Sequence, residues 1–117
     1  MSLDPNCIFC RIIEKKIPSK IVYEDESSLA FEDINPQAPA HILVVPKKHI
    51  PEIHSMTGRD KDTVGHLFLV AKTIAELQGL DKKGYRMVIN NGAGAGQTVF
   101  HVHLHLLSGR RFSWPPG

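Results

Sequence analysis

His101-Val102-His103-Leu104-His105-Leu106-Leu107 alternates strictly between imidazole and aliphatic side chains. A strand turns successive side chains to opposite faces, so the pattern predicts a strand over residues 99–107, with three histidines on one face and Val102, Leu104 and Leu106 on the other. The aliphatic face is core. A solvated strand surface explains three histidines in register badly, because histidine is an unfavoured surface choice there. One ion held by all three is excluded by distance: at about 3.3 Å per residue His101 and His105 stand about 13 Å apart, whereas zinc needs its nitrogens at about 2.1 Å. At most two neighbours can share a metal. What fits is acid, base or nucleophilic chemistry. Imidazole titrates near neutrality, and one ring nitrogen can attack an electrophile while the other, hydrogen-bonded, fixes the tautomer. The central residue, His103, has a partner on either side.

Immediately upstream lies Asn90-Asn91-Gly92-Ala93-Gly94-Ala95-Gly96-Gln97-Thr98. Successive glycines let backbone N–H groups converge on an anion, but the segment leads into a strand and lacks the strand-to-helix context of a dinucleotide fingerprint. An ordinary hairpin turn explains it equally well. Further out, Tyr85–Asn90 reads as a fourth strand. Val64, Leu67, Phe68, Ala71, Ile74 and Ala75 follow one helical face over about residues 60–79, stopped by Gly79. His41–Val45 is a third strand ended by Pro46, and residues 21–34 form a hairpin turning at Ser27-Ser28. A short helix is expected over residues 5–15, capped by Asp4 with Pro5 in its first position and closed by Lys15 and Lys16 before Pro18. Two helices and five strands joined mostly by short links predict an α+β domain, an antiparallel sheet with helices on one side. His54 falls in a loop and His66 beside the helix's apolar face, where a satisfied structural histidine is the expectation.

A chain of 117 residues makes one domain, residues 1–117, and 42% hydrophobic against 22% charged residues is enough to build a core. Disorder and a disulfide scaffold are thereby excluded. Fourteen Lys and Arg against twelve Asp and Glu give a net charge of +2 with no basic stripe, so a nucleic-acid polymer is not the expected partner. No apolar run approaches the roughly 20 residues of a membrane span, and Met1–Asp4 lacks the regions of a signal peptide, so the expected location is cytoplasmic. In that setting Cys7-Ile8-Phe9-Cys10 points to metal binding or thiol chemistry rather than a structural bridge. Three apart on a helix, the two thiols share a face and can hold one ion. Two reduced core cysteines are the alternative.

The histidine alternation followed by two apolar residues resembles the signature of the histidine triad (HIT) superfamily. Asp33-Ile34-Asn35-Pro36-Gln37-Ala38-Pro39-Ala40-His41, Pro46-Lys47-Lys48-His49-Ile50, Gly84-Tyr85-Arg86-Met87-Val88 and Trp114-Pro115-Pro116-Gly117 are similar, in the same order, to its histidine triad nucleotide-binding branch. His105, rather than glutamine, at the third triad position resembles the hydrolases and not the nucleotidyltransferases. The resemblance implies a five-stranded HIT-like sheet pairing into a ten-stranded sheet in a homodimer, with the tail near the partner's site. It implies hydrolysis of purine nucleoside 5′-phosphoramidates through a nucleotidyl-histidine, or of dinucleoside polyphosphates, or a nucleotide-binding adaptor with incidental catalysis.

Residue by residue, the resemblance makes His103 the nucleophile and His105 a phosphate ligand, with His101 and His41 completing the set. Gly96, Gln97 and Thr98 become phosphate and leaving-group contacts, Asn90 a ribose-phosphate contact, and Asp33 and Ile34 ribose contacts. Ile8, Phe9, Ile17 and Phe31 become the walls of the purine slot. Relatives of this branch often carry serine at the position of Thr98; the hydroxyl survives. Catalysis needs no cofactor in this reading. Some members with the cysteine pair hold a structural zinc, for which Cys7, Cys10, His49 and His101 are the implied ligands.

Overall fold

The structure is a computed structural model describing residues 3–117. It contains β1 (Ile21–Glu24), β2 (Ser28–Glu32), β3 (Ala40–Pro46), β4 (Tyr85–Val88) and β5 (Leu104–Ser108), with α1 (Ile8–Ile13) before the sheet and α2 (Lys61–Leu77) between β3 and β4. The five strands form one sheet in the order β1-β2-β3-β5-β4, every neighbouring pair antiparallel. No described helix is long and apolar enough to cross a membrane.

The helices lie on opposite faces of the sheet, not on one side as the connectivity suggested. Strand parity sorts the contacts. Ala30, Ile42, Val44, Leu104 and Leu106 pack with Val64, Leu67, Val70 and Ile74 of α2, whereas Leu29, Phe31, Leu43 and Val45 pack with Phe9, Cys10, Ile12 and Ile13 of α1. Both faces of β2 and β3 are therefore apolar, which is why these strands read as nearly continuous hydrophobic runs.

Three further boundaries differ from expectation. The segment Asp4–Cys7 is a turn closed by Cys7 N–H donating to the Asp4 carbonyl at 3.0 Å, so α1 begins later and its cap is Cys7, whose Sγ accepts from the Cys10 N–H. Asp25, at the head of the β1–β2 turn, accepts from the N–H groups of Ser27 and Ser28 at 3.0 and 2.8 Å, which places Ser28 in the strand. Its other oxygen meets His66 Nε2 at 2.7 Å, tying α2 to the turn and giving His66 the expected structural partner.

The third difference concerns the histidines themselves. β5 starts at Leu104 rather than residue 99: β4 stops at Val88, opposite His105, instead of running to Asn90, and the last pair with β3 is Val44–Leu104 although β3 runs on to Pro46. His101–His103 lie outside the ladder, after a bend over residues 99–101, with the Val102 N–H bonded to the Ile50 carbonyl at 2.7 Å. The alternation persists through this segment, since Val102 joins the α2-side core with Leu104 and Leu106.

Just after β5, Gly109 has φ +99°, and a Cβ there would lie 2.8 Å from Cβ of Pro39. Backbone strain and a clash coincide at this residue. Gly109→Ala is expected to destabilise the fold by roughly 2 kcal/mol or more, read from urea unfolding midpoints; an unchanged midpoint contradicts the packing described.

Candidate active site and metal centre

Between α1 and the segment that carries His103 and His105 lies a cavity of about 340 Å³. Its apolar lining includes Ile8, Phe9, Ile17 and Phe31, and its polar lining includes Asp33, Thr98, His103 and His105. Phe9 meets Phe31 edge-on at 5.4 Å and His103 at 5.1 Å between ring centroids. Ile34 also borders the cavity, 98% exposed. An aliphatic residue so exposed at a cavity mouth is available for contact with a bound ligand.

Hydrogen bonds fix which nitrogen of each imidazole carries the proton. His103 Nδ1 lies 2.8 Å from the His101 carbonyl, which only accepts. His103 therefore holds its proton on Nδ1 and keeps a lone pair on Nε2. The Gln37 N–H donates to His41 Nδ1 at 2.9 Å, so the proton of His41 sits on Nε2, 2.9 Å from His105 Nδ1. That bond makes His105 Nδ1 the acceptor and leaves N–H on its Nε2. One imidazole thus presents a lone pair, and its neighbour, with rings 4.9 Å apart, presents a donor.

Electrostatics keep both neutral. Burial lowers the pKa of His103 below the ordinary imidazole value, against the raising effects of the His101 carbonyl and Asp33. For His105, burial and then the neighbouring His103 and His41 push it down to about 4. Burial likewise lowers His41. At neutral pH the lone pair of His103 is free.

Asp33, His41 and His105 also stand close enough together to suggest a cation site. Their hydrogen bonding speaks against it. With Nδ1 of His41 accepting from Gln37, a metal on Nε2 would require an imidazolate, so the group is better described as a relay, in which the His41 N–H also lies 3.4 Å from Asp33 Oδ2.

The second cluster behaves differently. His101 Nε2 donates to the Pro46 carbonyl at 2.8 Å, leaving the lone pair on Nδ1. That atom lies 3.4 Å from Cys7 Sγ, 3.6 Å from Cys10 Sγ and 3.2 Å from His49 Nδ1, with Cys10 Sγ 3.3 Å from His49 Nδ1. A zinc tetrahedron with arms of about 2.0–2.3 Å has edges of about 3.3–3.8 Å. The donor set fits that shape and the borderline softness of zinc. Without a metal, burial pushes the Cys10 thiol up and His101 down to about 4, so both stay uncharged.

Of the remaining sequence candidates, Asn90, Gly96 and Gln97 do not line the cavity, and His41 stands behind His105. The Gln97 side chain is engaged away from the cavity: Oε1 accepts from the Gly92 N–H at 2.7 Å, and Nε2 donates to the carbonyls of Pro51 and Val99. Ile12, Leu43 and Val99 line the cavity without having been singled out. Two had a signal, since Ile12 follows Ile8 by one helical turn and Leu43 shares strand parity with His41. A wider groove of about 730 Å³ near Lys48 and Arg59 contains none of the triad.

The class this geometry defines is a small α+β protein that presents neutral, tautomer-fixed histidines to an apolar cavity. Residues 14–112 match the HIT domain model, and the chain belongs to the HIT family. It is 56% identical over 110 residues to an uncharacterized HIT-like protein of Synechocystis, covering 94% of this chain and 96% of that one. It is 50% identical over 116 residues to the 14 kDa zinc-binding protein of Zea mays, covering 97% and 90%. Among solved structures, a HIT family hydrolase from Legionella pneumophila superposes with TM-score 0.93 at 48% identity, covering 96% of this chain and all of that one. A histidine triad nucleotide-binding protein from Candida albicans gives TM-score 0.81 at 35% identity, covering 96% and 85%.

Proposed function

We propose that this protein is a nucleotide hydrolase that cleaves purine nucleoside 5′-phosphoramidates, such as adenosine 5′-phosphoramidate, to the nucleoside monophosphate and an amine. The observation that carries this reading is His103 Nε2, which holds a lone pair, bonds to no described residue and belongs to a ring lining the cavity. In the first step Nε2 forms a bond to the α-phosphorus, and the phosphorus–nitrogen bond to the amine breaks. The departing amine takes a proton through the Thr98 hydroxyl. In the second step water forms the new phosphorus–oxygen bond, the bond to His103 breaks, and a water proton restores the donor. Each step is an easier displacement than direct hydrolysis.

His105 offers its Nε2–H to the phosphate oxygens, and Asp33 accepts from the ribose hydroxyls. Ile8, Phe9, Ile17 and Phe31 enclose the flat base, with Ile34 at the opening. The backbone of Gly96 and Gln97, with Asn90, takes the phosphate and its ribose link from the loop side. The likeness to the Legionella hydrolase and to the Candida nucleotide-binding protein supports hydrolysis and a nucleotide ligand. Cys7, Cys10, His49 and His101 would hold a structural zinc, consistent with the name of the maize relative. Zinc bound there adds folding energy and takes no part in the displacement.

The test is a comparison of kcat/KM for adenosine 5′-phosphoramidate and a dinucleoside polyphosphate. A clear preference for the phosphoramidate is expected. Preference for the polyphosphate would replace the leaving group in this account, and turnover of neither would leave an adaptor.

The chain is also proposed to act as a homodimer. Among the described residues the outer edge of β4 pairs with no strand, and Met87 on β4 is an exposed apolar side chain at 39%. Joining two such edges across a two-fold axis makes a ten-stranded sheet and removes an edge from each copy. In this reading the tail carrying Trp114, which is 82% exposed in the single chain, lies near the partner's site, as the family resemblance implies. Sedimentation at micromolar concentration should give a dimer; a monomer overturns the arrangement.

A further inference from the structure

The thiol–imidazole cluster and the cavity share a helix and a hydrogen bond. Cys7 and Cys10 bracket Ile8 and Phe9, which line the cavity with Ile12. α1 has only six residues, too few to be stable alone, so its position depends on what anchors it. Two of those anchors are the thiols, through His49 and His101. Phe9 touches both imidazoles of the neighbouring segment, its ring centroid 5.9 Å from His101 and 5.1 Å from His103. The His101 carbonyl, in turn, holds the Nδ1 proton of His103 at 2.8 Å. A ligand that fixes His101 and α1 therefore fixes the cavity wall and the tautomer of His103 together.

We propose that metal binding at Cys7, Cys10, His49 and His101 is positively coupled to nucleotide binding, each ligand tightening the other by ordering α1 and the His101–His103 segment. The proposal rests on the nucleotide reading above. His49 is a positioning residue in it: it is one of the four donors, does not line the cavity and acts through His101, 3.2 Å away between Nδ1 atoms.

Coupling is reciprocal by thermodynamic necessity, which supplies a readout independent of catalysis. Cobalt(II) is titrated into the full chain, followed by thiolate absorption, with and without AMP. AMP is titrated calorimetrically into zinc-loaded and chelator-stripped protein. Stripping is expected to weaken AMP at least about fivefold, and AMP to tighten cobalt by a comparable factor. Because an unfolded stripped chain would also lose AMP, His49→Ala, which keeps three donors, is measured with its fold checked by circular dichroism. It should bind AMP several-fold more weakly while folded.

Equal AMP affinity in the loaded, stripped and His49→Ala proteins, with cobalt affinity indifferent to AMP, overturns the coupling alone. Absence of thiolate–cobalt absorption overturns the metal centre and the coupling with it. AMP binding to no form overturns the nucleotide reading on which the proposal rests.

Discussion

His103→Ala is expected to lose turnover of adenosine 5′-phosphoramidate by a factor on the order of a thousand or more, while still binding AMP. The substitution removes the one imidazole whose lone pair is both fixed and free. Asp33 and the apolar walls stay in place, and the relay through Gln37, His41 and His105 does not pass through the lost ring. Loss of rate with retained affinity separates a group that makes a covalent bond from one that holds the ligand. Steady-state turnover close to wild type would remove His103 from the role of nucleophile.

The second large effect is on stability. Purified protein prepared without chelator is expected to contain about one zinc per chain, and the double variant Cys7→Ser, Cys10→Ser to contain none and to melt lower by roughly 10 °C or more. α1 covers Leu29, Phe31, Leu43 and Val45, so freeing its start exposes one apolar face of the sheet. At saturating substrate the variant should keep much of its turnover, since the displacement itself uses no metal. Metal analysis without zinc, or a double variant that melts like the wild type, would reduce the pair to ordinary core cysteines.

The sequence carried the features that depend on side-chain parity. Strict alternation put Val102, Leu104 and Leu106 into the core on the α2 side and the histidines on the other face, where His101 and His103 are themselves buried, and that held even where the ladder did not. Ladder length was not legible. Whether residues 99–103 pair depends on where β4 ends and on the Pro46 carbonyl, which accepts from the His101 ring.

Placing both helices on one side failed for a related reason. The apolar content of β2 and β3 signals burial on both faces, but which cover each face receives depends on the path of the chain before β1. Asp4 satisfied the composition rules for a helix cap and capped a turn instead, while Cys7, an unusual cap, took the position because its thiol is held by His101. The tautomers were beyond any sequence pattern. They follow from single contacts with the Gln37 N–H and with the carbonyls of His101 and Pro46, and these exist only once the segments have met.

The central claim is a covalent nucleotidyl bond to one nitrogen, His103 Nε2. Rapid quenching of the wild-type protein with adenosine 5′-phosphoramidate, followed by mass spectrometry of the intact chain and its peptides, tests it most directly. The account predicts an added nucleotidyl group within the first turnover, mapped to His103 and absent from His103→Ala. An adduct on another residue, or full turnover with no adduct at any quench time, would contradict it.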